Sequence, residues 1–593
     1  MSRTPENGVG GVRVARVDTF FLKHAHFLPY GSWGHSSSIT VDPLAQFVHT
    51  GGMNFSLSNE VSIVWPFGSD KAEAIDEFGR RYRQSPSLDS LAEFLQQEGI
   101  ELALDPDIIT GFASDESHLP GTAEGVCRPR TTAETAFIMR TCCAAGVPVT
   151  VSAGRSNLTG SATPEGGIIL ATTHLSQPAL AVDQEARSVT APVGMFLEDM
   201  REAVLAESRK KLCYTVDPTS RKETTIGGSV ACNASGFTPG EPGATRHWVQ
   251  ALEVVLPCGG VANVRRGEVF SQDGVFVLRD STGTRELPVP RHPRVAIKNA
   301  GGPFSAADGV VDFVDLFVGA EGIFGVVTGV TLGLCQRPVG YLDFFVSLPV
   351  ESEALKLRAA IEDFLPEGLT RLSALEYFGV NCRKFMSHED RFFQGTDEVG
   401  VYIQVPLAAE DNEEEVAEAW FEFLADCGVE LDPDAILLLD NERDREIFFE
   451  ARHSMPANSL EVVQQRGTYT LMTDTVVPPP QFGRFLAETH RLLNEAQLEY
   501  LAFGHLGDCH LHFTLLPEKA QLEAATRVYE KVIAISAGLG GVYSGEHGTG
   551  KRKRADFVAC HGETGVAAVR RTKEALDPEY LLNRGNVVTL PLL

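Results

Sequence analysis

The rhythm of hydrophobic and polar positions changes several times along the chain. Near the N-terminus VRVARVDTFFL alternates like a strand and runs into a turn-rich GSWGHSSS loop, and nothing in residues 1–88 points to chemistry. From Asp89 to Gly99 the apolar residues recur at helical spacing until a glycine stops them, ahead of an acidic connector at Asp105, Pro106 and Asp107. Between about Gly125 and Arg337 helix and strand alternate. Thr132 is placed to cap a helix over Ala133 to Ala145, Gly146 to end it, and VPVTVS to form a short buried strand. GGIILA, ALEVVLP and FGVVTGVTLGL, each flanked by glycine or proline, predict further strands. Beyond Pro338 the helices lengthen. Strands are predicted at YLDFFVSLP, VGVYIQVPL, YTLMTDTVV and LEYLAFGH, and helices over Glu351 to Phe364 and Pro480 to Ala496. A further, acidic helix has its entrance at Asp411 to Glu415, a solvated face. This order suggests an α+β cap built on one sheet.

Charge narrows the field. Lys and Arg total 51 against 79 Asp and Glu, a formal charge of −28 over 593 residues. Such a surface repels phosphodiester backbones, so no nucleic-acid partner is expected. No stretch approaches the roughly eighteen apolar residues of a membrane span, so no transmembrane segment is expected. The N-terminus lacks a basic region followed by an apolar core, so no secretory signal is expected. Eleven cysteines without a C-x-x-C spacing argue against a disulfide framework and against an iron–sulfur cluster within the chain. The expected address is cytoplasmic, with a peripheral position at the membrane left open.

Candidate chemistry begins at VSAGRSNLTG (151–160), directly after a predicted strand. Glycines around small polar residues permit a tight turn whose N–H groups converge, as a pyrophosphate needs; a loop that merely turns the chain fits equally well. It is neither a P-loop nor a G-x-G-x-x-G turn opening a helix. A second cluster, TTIGGSVACNASG (224–236), follows YTVDPTS (214–220), and a third is VGAEGIFGVVTGVTL (318–332). One long dinucleotide-like ligand threaded along them is the economical reading. CRPRTTAE (127–134), AGRSNLTG, DPTS, IGGSVACNASG and GAEGIFGVVT in this order resemble the FAD domain of the vanillyl-alcohol oxidase and p-cresol methylhydroxylase superfamily. GHLGDCHLH (504–512), SGEHGTGKRK (544–553) and LDPEYLLNRGNVV (576–588) are similar to the flavin-linked D-lactate and D-2-hydroxy-acid dehydrogenase branch. The likeness covers about residues 90–593.

The resemblance implies an α+β, two-subdomain FAD-binding fold of the p-cresol methylhydroxylase (PCMH) type, with an α+β cap and a C-terminal helical segment. The corresponding division is an N-terminal segment of unknown role (1–88), an FAD-binding domain (89–338), a cap (339–535) and a C-terminal segment completing the FAD and active sites (536–593). FAD would be held by Gly154, Arg155, Ser156, Asn157, Thr159 and Gly160, and by Pro218, Thr219 and Ser220. Gly227, Gly228, Ala231, Asn233 and Gly236 would join them, with Glu321, Gly322 and Asn583. Relatives that bind flavin covalently use a His or Cys on the glycine loop; 151–160 has neither, so non-covalent FAD is expected.

The second constellation is His505, Asp508, Cys509, His510, His512, Glu546 and His547. On a regular strand His510 and His512 share a face that His505 does not, so Gly507 and Asp508 must turn the chain if all three are to converge. Imidazoles with a carboxylate suit Zn²⁺ or Mn²⁺, whereas isolated histidines would simply hydrogen-bond in a packed cap. By resemblance, His505, His512 and Glu546 are the metal ligands and His547 the general base, with Cys509 and His510 departing from the G-N of many relatives and leaving His510 open as a further ligand. Arg452 is the candidate for the substrate carboxylate, against the alternative of an ion pair with Glu446 or Glu450. Dicarboxylate-specific relatives carry a lysine just before the aspartate of TDTVVP (473–478), where Met472 or Thr473 stands here, so a monocarboxylate is expected.

The expected activity is oxidation of a D-2-hydroxy acid, D-lactate first, with electrons leaving to a quinone, cytochrome or flavoprotein. Glycolate oxidase-like, D-2-hydroxyglutarate dehydrogenase-like and alkylglycerone-phosphate synthase-like activities are the alternatives, together with a non-catalytic flavin-binding electron-transfer subunit and a flavin-free metal hydrolase.

Overall fold

The computed structural model describes residues 58–290, 294–302 and 309–590; the strand and loop expected within residues 1–57 lie outside them. By internal contacts the described residues divide into two units, one holding Pro338–Val462 and the other residues 58–337 together with Val463 onward.

In the larger unit, Thr132–Ala145 forms a helix capped by the Thr131 hydroxyl, one residue before the expected Thr132, and closed by left-handed Gly146. The helix is buried almost all round, which explains why its sequence shows little amphipathic stripe. It feeds Val149–Ser152, which pairs in parallel with Ile168–Ala171, itself parallel to Gly125–Cys127. Leu102–Ala103 completes this four-stranded sheet. A second, eight-stranded sheet runs in the order Gly283–Pro288, Val275–Asp280, Glu60–Val64, Val261–Arg265, Val249–Val255, Val326–Gly333, Ser188–Pro192, Ala181–Asp183. The strand Glu60–Val64 sits inside this sheet. The helix Ser69–Gln84 lies against Thr132–Ala145 so closely that a Cβ on Gly79 would come 2.6 Å from that of Ala144. Residues 58–88 are therefore part of the unit's core rather than a leader to it.

The same unit ends in a hairpin, Tyr500–His505 against His510–Leu515, edged by Leu471–Met472 and Thr475–Val476. The expected single strand YTLMTDTVV is thus broken at Thr473–Asp474. The helix Phe482–Glu495 precedes the hairpin, and Leu522–Gly538 and the stretch Arg554–Leu576, kinked at Gly562, follow it. Because residues from 463 onward pack here, the contact boundary falls at 462 rather than at the expected cap end of 535.

The smaller unit has the antiparallel strand order Ile436–Leu438, Gly340–Leu348, Val399–Leu407, Ala374–Phe378. Helices Glu351–Phe364 and Glu413–Asp426 accompany it, the latter capped by Asn412 behind three exposed glutamates. Phe344, Phe345, Phe378 and Phe448 are fully buried in it, each worth about 1.5–3 kcal/mol of burial.

Candidate active site

The hairpin places the histidines. A 3₁₀ turn at Leu506–Asp508 and a left-handed Cys509 reverse the chain, so that His505 lies directly across from His510. The turn expected at Gly507–Asp508 is what lets the three imidazoles converge. One ligand atom each of His505, His510, His512 and Glu546 fall within 4.8 Å of one another. His505 Nε2 is 2.9 Å from Glu546 Oε1, and His512 Nε2 is 3.7 Å from Oε2. His512 Nδ1 lies 3.2 Å from the Thr473 carbonyl, to which it donates, and the ring is thereby turned with Nε2 toward Glu546.

Two lysines and an aspartate complete the cluster. Lys298 Nζ donates to Glu546 Oε1 at 2.7 Å and is 3.5 Å from Asp508 Oδ2. Burial works to raise the Glu546 carboxyl, but Lys298 and His505 outweigh it and hold the group well below the carboxylate range. Asp474 is wholly buried. It accepts from the Ser544 hydroxyl at 2.7 Å, Lys553 Nζ at 2.8 Å and the backbone N–H of His547 at 3.0 Å. His510 Nε2 lies 2.9 Å from its Oδ1 and His547 Nδ1 lies 3.4 Å from its Oδ2. Burial again opposes ionisation, and His547, Lys553 and His510 overcome it, keeping Asp474 charged. Burial pushes the His547 imidazole down to about 4, against the pull of Asp474, so the ring is neutral at pH 7. A carboxylate beside Nδ1 favours the proton on that nitrogen, leaving Nε2 to accept one. His510, pushed down by burial to about 3, is also neutral, and with Nε2 on Asp474 it braces that carboxylate.

The three glycine segments meet the same loop. The Asn157 side chain folds its own loop by accepting from the N–H groups of Thr159 and Ser161 at 2.9 and 3.2 Å, and its amide donates to the carbonyl of His547 at 3.2 Å. Among the described residues, no backbone acceptor meets the N–H groups from Gly154 to Leu158. That is the condition a pyrophosphate requires of a loop. At the second segment the N–H groups of Gly227 and Gly228 are already used, by the Val193 carbonyl and the Thr225 hydroxyl. Gly227 is held against Val193, whereas a Cβ on Gly228 would meet nothing closer than 3.5 Å. Gly228 thus offers close approach rather than donors.

Other expected cofactor residues are spent on the protein. Asn233 caps its helix in the left-handed region, donates to Asn299 and accepts from Arg246. Glu321, also left-handed and bonded through its N–H to Ala231, accepts the N–H groups of Thr549 and Gly550. Asn583 joins the Glu321 carbonyl to the N–H of Val151, and a Cβ on Gly322 would strike it at 2.4 Å. Gly236 is pressed onto Asp217, and Pro218 and Ser220 turn the chain toward Thr224, with Thr219 exposed. Arg155 stacks its guanidinium on Phe112, 4.7 Å from the ring centroid. Ser156 is half-buried, and Thr159 and Gly160 are buried beneath the loop. These contacts lock the glycine segments to the 546–550 loop.

Arg452 belongs to the smaller unit. It is buried and pairs at 2.9 Å with Glu376 on the strand Ala374–Phe378, not with Glu446 or Glu450. Sequence reasoning passed over Asp474, Lys298 and Lys553. The available signals were an aspartate inside an otherwise β-branched run, the lysine of VAIKNAGG and the second of the two lysines in the motif after His547.

Residues 123–265 match the FAD binding domain, and residues 373–587 match the C-terminal domain of FAD linked oxidases. A D-lactate dehydrogenase of Anaerostipes hadrus is 26% identical over 494 residues, covering 81% of this chain and 93% of the relative. A D-2-hydroxyglutarate dehydrogenase of Xanthomonas citri pv. viticola is 26% identical over 479 residues, covering 79% and 88%. The structure of p-cresol methylhydroxylase with substrate bound superposes with a TM-score of 0.58 at 13% identity, covering 89% of this chain and 99% of that one. The chain belongs to the FAD-linked oxidase family, with a PCMH-type α+β fold. It is an FAD-linked oxidoreductase of the group that holds the D-lactate and D-2-hydroxyglutarate dehydrogenases. No helix among the described residues is long and apolar enough to cross a membrane.

Proposed function

We propose that the protein oxidises a D-2-hydroxy acid, D-lactate foremost, to the 2-oxo acid, and passes the electrons to an external quinone, cytochrome or flavoprotein. The observation that carries the reading is the Asp474–His547 pair beside a three-ligand cluster that shares His512. When bound, FAD would supply the hydride acceptor and a divalent metal, Zn²⁺ or Mn²⁺, would supply Lewis acidity at the substrate hydroxyl. His505, His512 and Glu546 would hold the metal. Their donor atoms lie within 4.8 Å, the His512 tautomer presents Nε2, and the carboxylates of Glu546 and Asp508 already hold a cation, the Lys298 ammonium. The loop Gly154 to Gly160, with Gly228 opposite, would hold the FAD phosphates non-covalently.

The chain's own part is proton chemistry and orientation. His547 Nε2 takes the hydroxyl proton, Asp474 fixes the ring and steadies the imidazolium that results, and Lys553 keeps Asp474 ionised. Asn157 ties the backbone of the base to the phosphate loop. Arg452, buried and paired with Glu376 within the smaller unit, takes no part in this reading. Met472 or Thr473, the latter buried with its hydroxyl accepting from the Phe513 N–H, stands where dicarboxylate-specific relatives carry a lysine, which favours a monocarboxylate.

Turnover of D-lactate, glycolate and D-2-hydroxyglutarate with an artificial electron acceptor tests the assignment. D-lactate is expected to give the highest kcat/KM. A clear preference for the dicarboxylate would overturn the substrate, and inertness toward all three would favour the non-catalytic electron-transfer subunit.

A further inference from the structure

Two of the cysteines face one another outside the active site. Cys213 and Cys335 are direct partners in the antiparallel pair Leu212–Cys213 and Cys335–Gln336, 122 residues apart in sequence. Their sulfurs are 3.4 Å apart and both side chains are half-buried. Directly opposed residues of an antiparallel pair have Cα atoms about 4.5–5.5 Å apart, within the range of about 4.4–6.8 Å that a disulfide spans, so rotation of the side chains suffices to join them.

We propose that Cys213 and Cys335 are a redox modification site that closes reversibly into a disulfide on exposure to a small disulfide of the glutathione class. The Cys213 thiolate attacks one sulfur of the oxidant, whose S–S bond breaks and releases one small thiol. Cys335 gives up its proton and attacks Cys213 Sγ, releasing the second. Two protein thiols are oxidised, one small disulfide is reduced to two thiols, and the two protons end on those thiols.

The surroundings set the order of events. The hydrogen bond from Cys335 lowers the Cys213 thiol against the effect of burial, and Arg201 and Arg337 add to it; the same bond pushes Cys335 up. Cys213 is thus the attacking sulfur and Cys335 the resolving one. Burial instead raises Cys127, Cys232 and Cys560 to about 12 and Cys143 to about 11, which makes them poor competitors. The place is also consequential. Arg337, whose N–H donates to the Lys211 carbonyl at 2.9 Å, is the last residue before the chain passes into the smaller unit. A bridge at 335 makes covalent a fastening that otherwise consists of a two-residue ladder.

Full-length protein incubated with oxidised glutathione, then alkylated and mapped by mass spectrometry without reduction, tests the site. The expected result is a loss of two titratable thiols of the eleven, recovery of a peptide joined through Cys213 and Cys335, and reversal by dithiothreitol. Cys335→Ser should instead trap one glutathione on Cys213, at a rate several-fold above that of any other cysteine. Loss of two thiols without that joined peptide, no loss at all, or preferential trapping at another cysteine in Cys335→Ser would each overturn the proposal.

Discussion

The side-chain amide of Asn157 donates to the main-chain carbonyl of His547 at 3.2 Å, joining the first glycine loop to the proposed base across 390 residues of sequence. On the proposed reading, phosphate binding and proton transfer therefore share one anchor. Asn157→Ala should lower flavin content and turnover together, whereas a residue serving only one of them would split the two. Flavin absorbance per protein, read beside kcat on the flavin-loaded fraction, measures this. Full flavin content with normal kcat would remove Asn157 from the account.

Asp474 is the next test. It holds Lys553, two imidazoles and the backbone of the 546–547 loop, so Asp474→Asn should cost stability as well as rate. Removing one partner from a buried charge cluster costs about 3–5 kcal/mol, visible as a lower denaturation midpoint. In flavin-loaded, folded protein kcat should still fall by about 10² or more, because His547 loses the partner that orients it. Near-normal kcat in that fraction would make Asp474 a structural ion only.

The two glycine segments should respond differently. A Cβ on Gly154 would lie 2.1 Å from the Glu223 carbonyl, so Gly154→Ala should destabilise the protein whether or not flavin is present. A Cβ on Gly228 would make only ordinary contacts at 3.5 Å, so Gly228→Ala is expected to leave the flavin-free fold at its wild-type melting temperature while lowering FAD occupancy. Full occupancy in Gly228→Ala would move the phosphates elsewhere.

Glu321 carries a pH signature. Burial raises its carboxyl to about 7, against the pull of two backbone donors. The folded state then binds a proton that the unfolded chain, with a pKa of about 4.3, has released, so stability falls as pH rises from about 4.3 to 7 and levels off above. The difference of about 2.7 pH units corresponds to on the order of 4 kcal/mol. Denaturation midpoints of the wild type and Glu321→Gln at pH 5 and pH 8 should differ in slope, the variant lacking this fall. Parallel curves would show Glu321 ionised throughout.

The regular elements were legible wherever a local pattern decided them. The helix ending at Gly146 and the helix Glu351–Phe364 follow from caps and periodicity. The convergence of His505 with His510 and His512 was foreseeable as a condition, since alternation alone placed them on opposite faces and required a turn between. The roles of Asp474 and Lys298 were not legible. A buried charge is identified by its partners, and these come from segments far apart in sequence: Asp474 meets the loop after Tyr543, and Lys298 meets Glu546. The break in the strand at Thr473–Asp474 has the same origin. Thr473 turns its carbonyl to His512 and its hydroxyl to Phe513, and Asp474 turns in to the loop, contacts that a run of β-branched residues does not announce. Several residues expected at the cofactor by type also tie segments of the chain together, as the paired bonds of Asn233 and Asn583 show.

Anaerobic mixing of the flavin-loaded protein with D-lactate, followed at the flavin absorbance band, tests the central assignment of His547 as the base most directly. The account predicts rapid bleaching in the wild type, none with L-lactate, loss of the D-lactate reaction after chelation with recovery on adding Zn²⁺ or Mn²⁺, and a rate lower by about 10² or more in His547→Asn at unchanged flavin content. Bleaching by D-lactate at the wild-type rate in His547→Asn would contradict it.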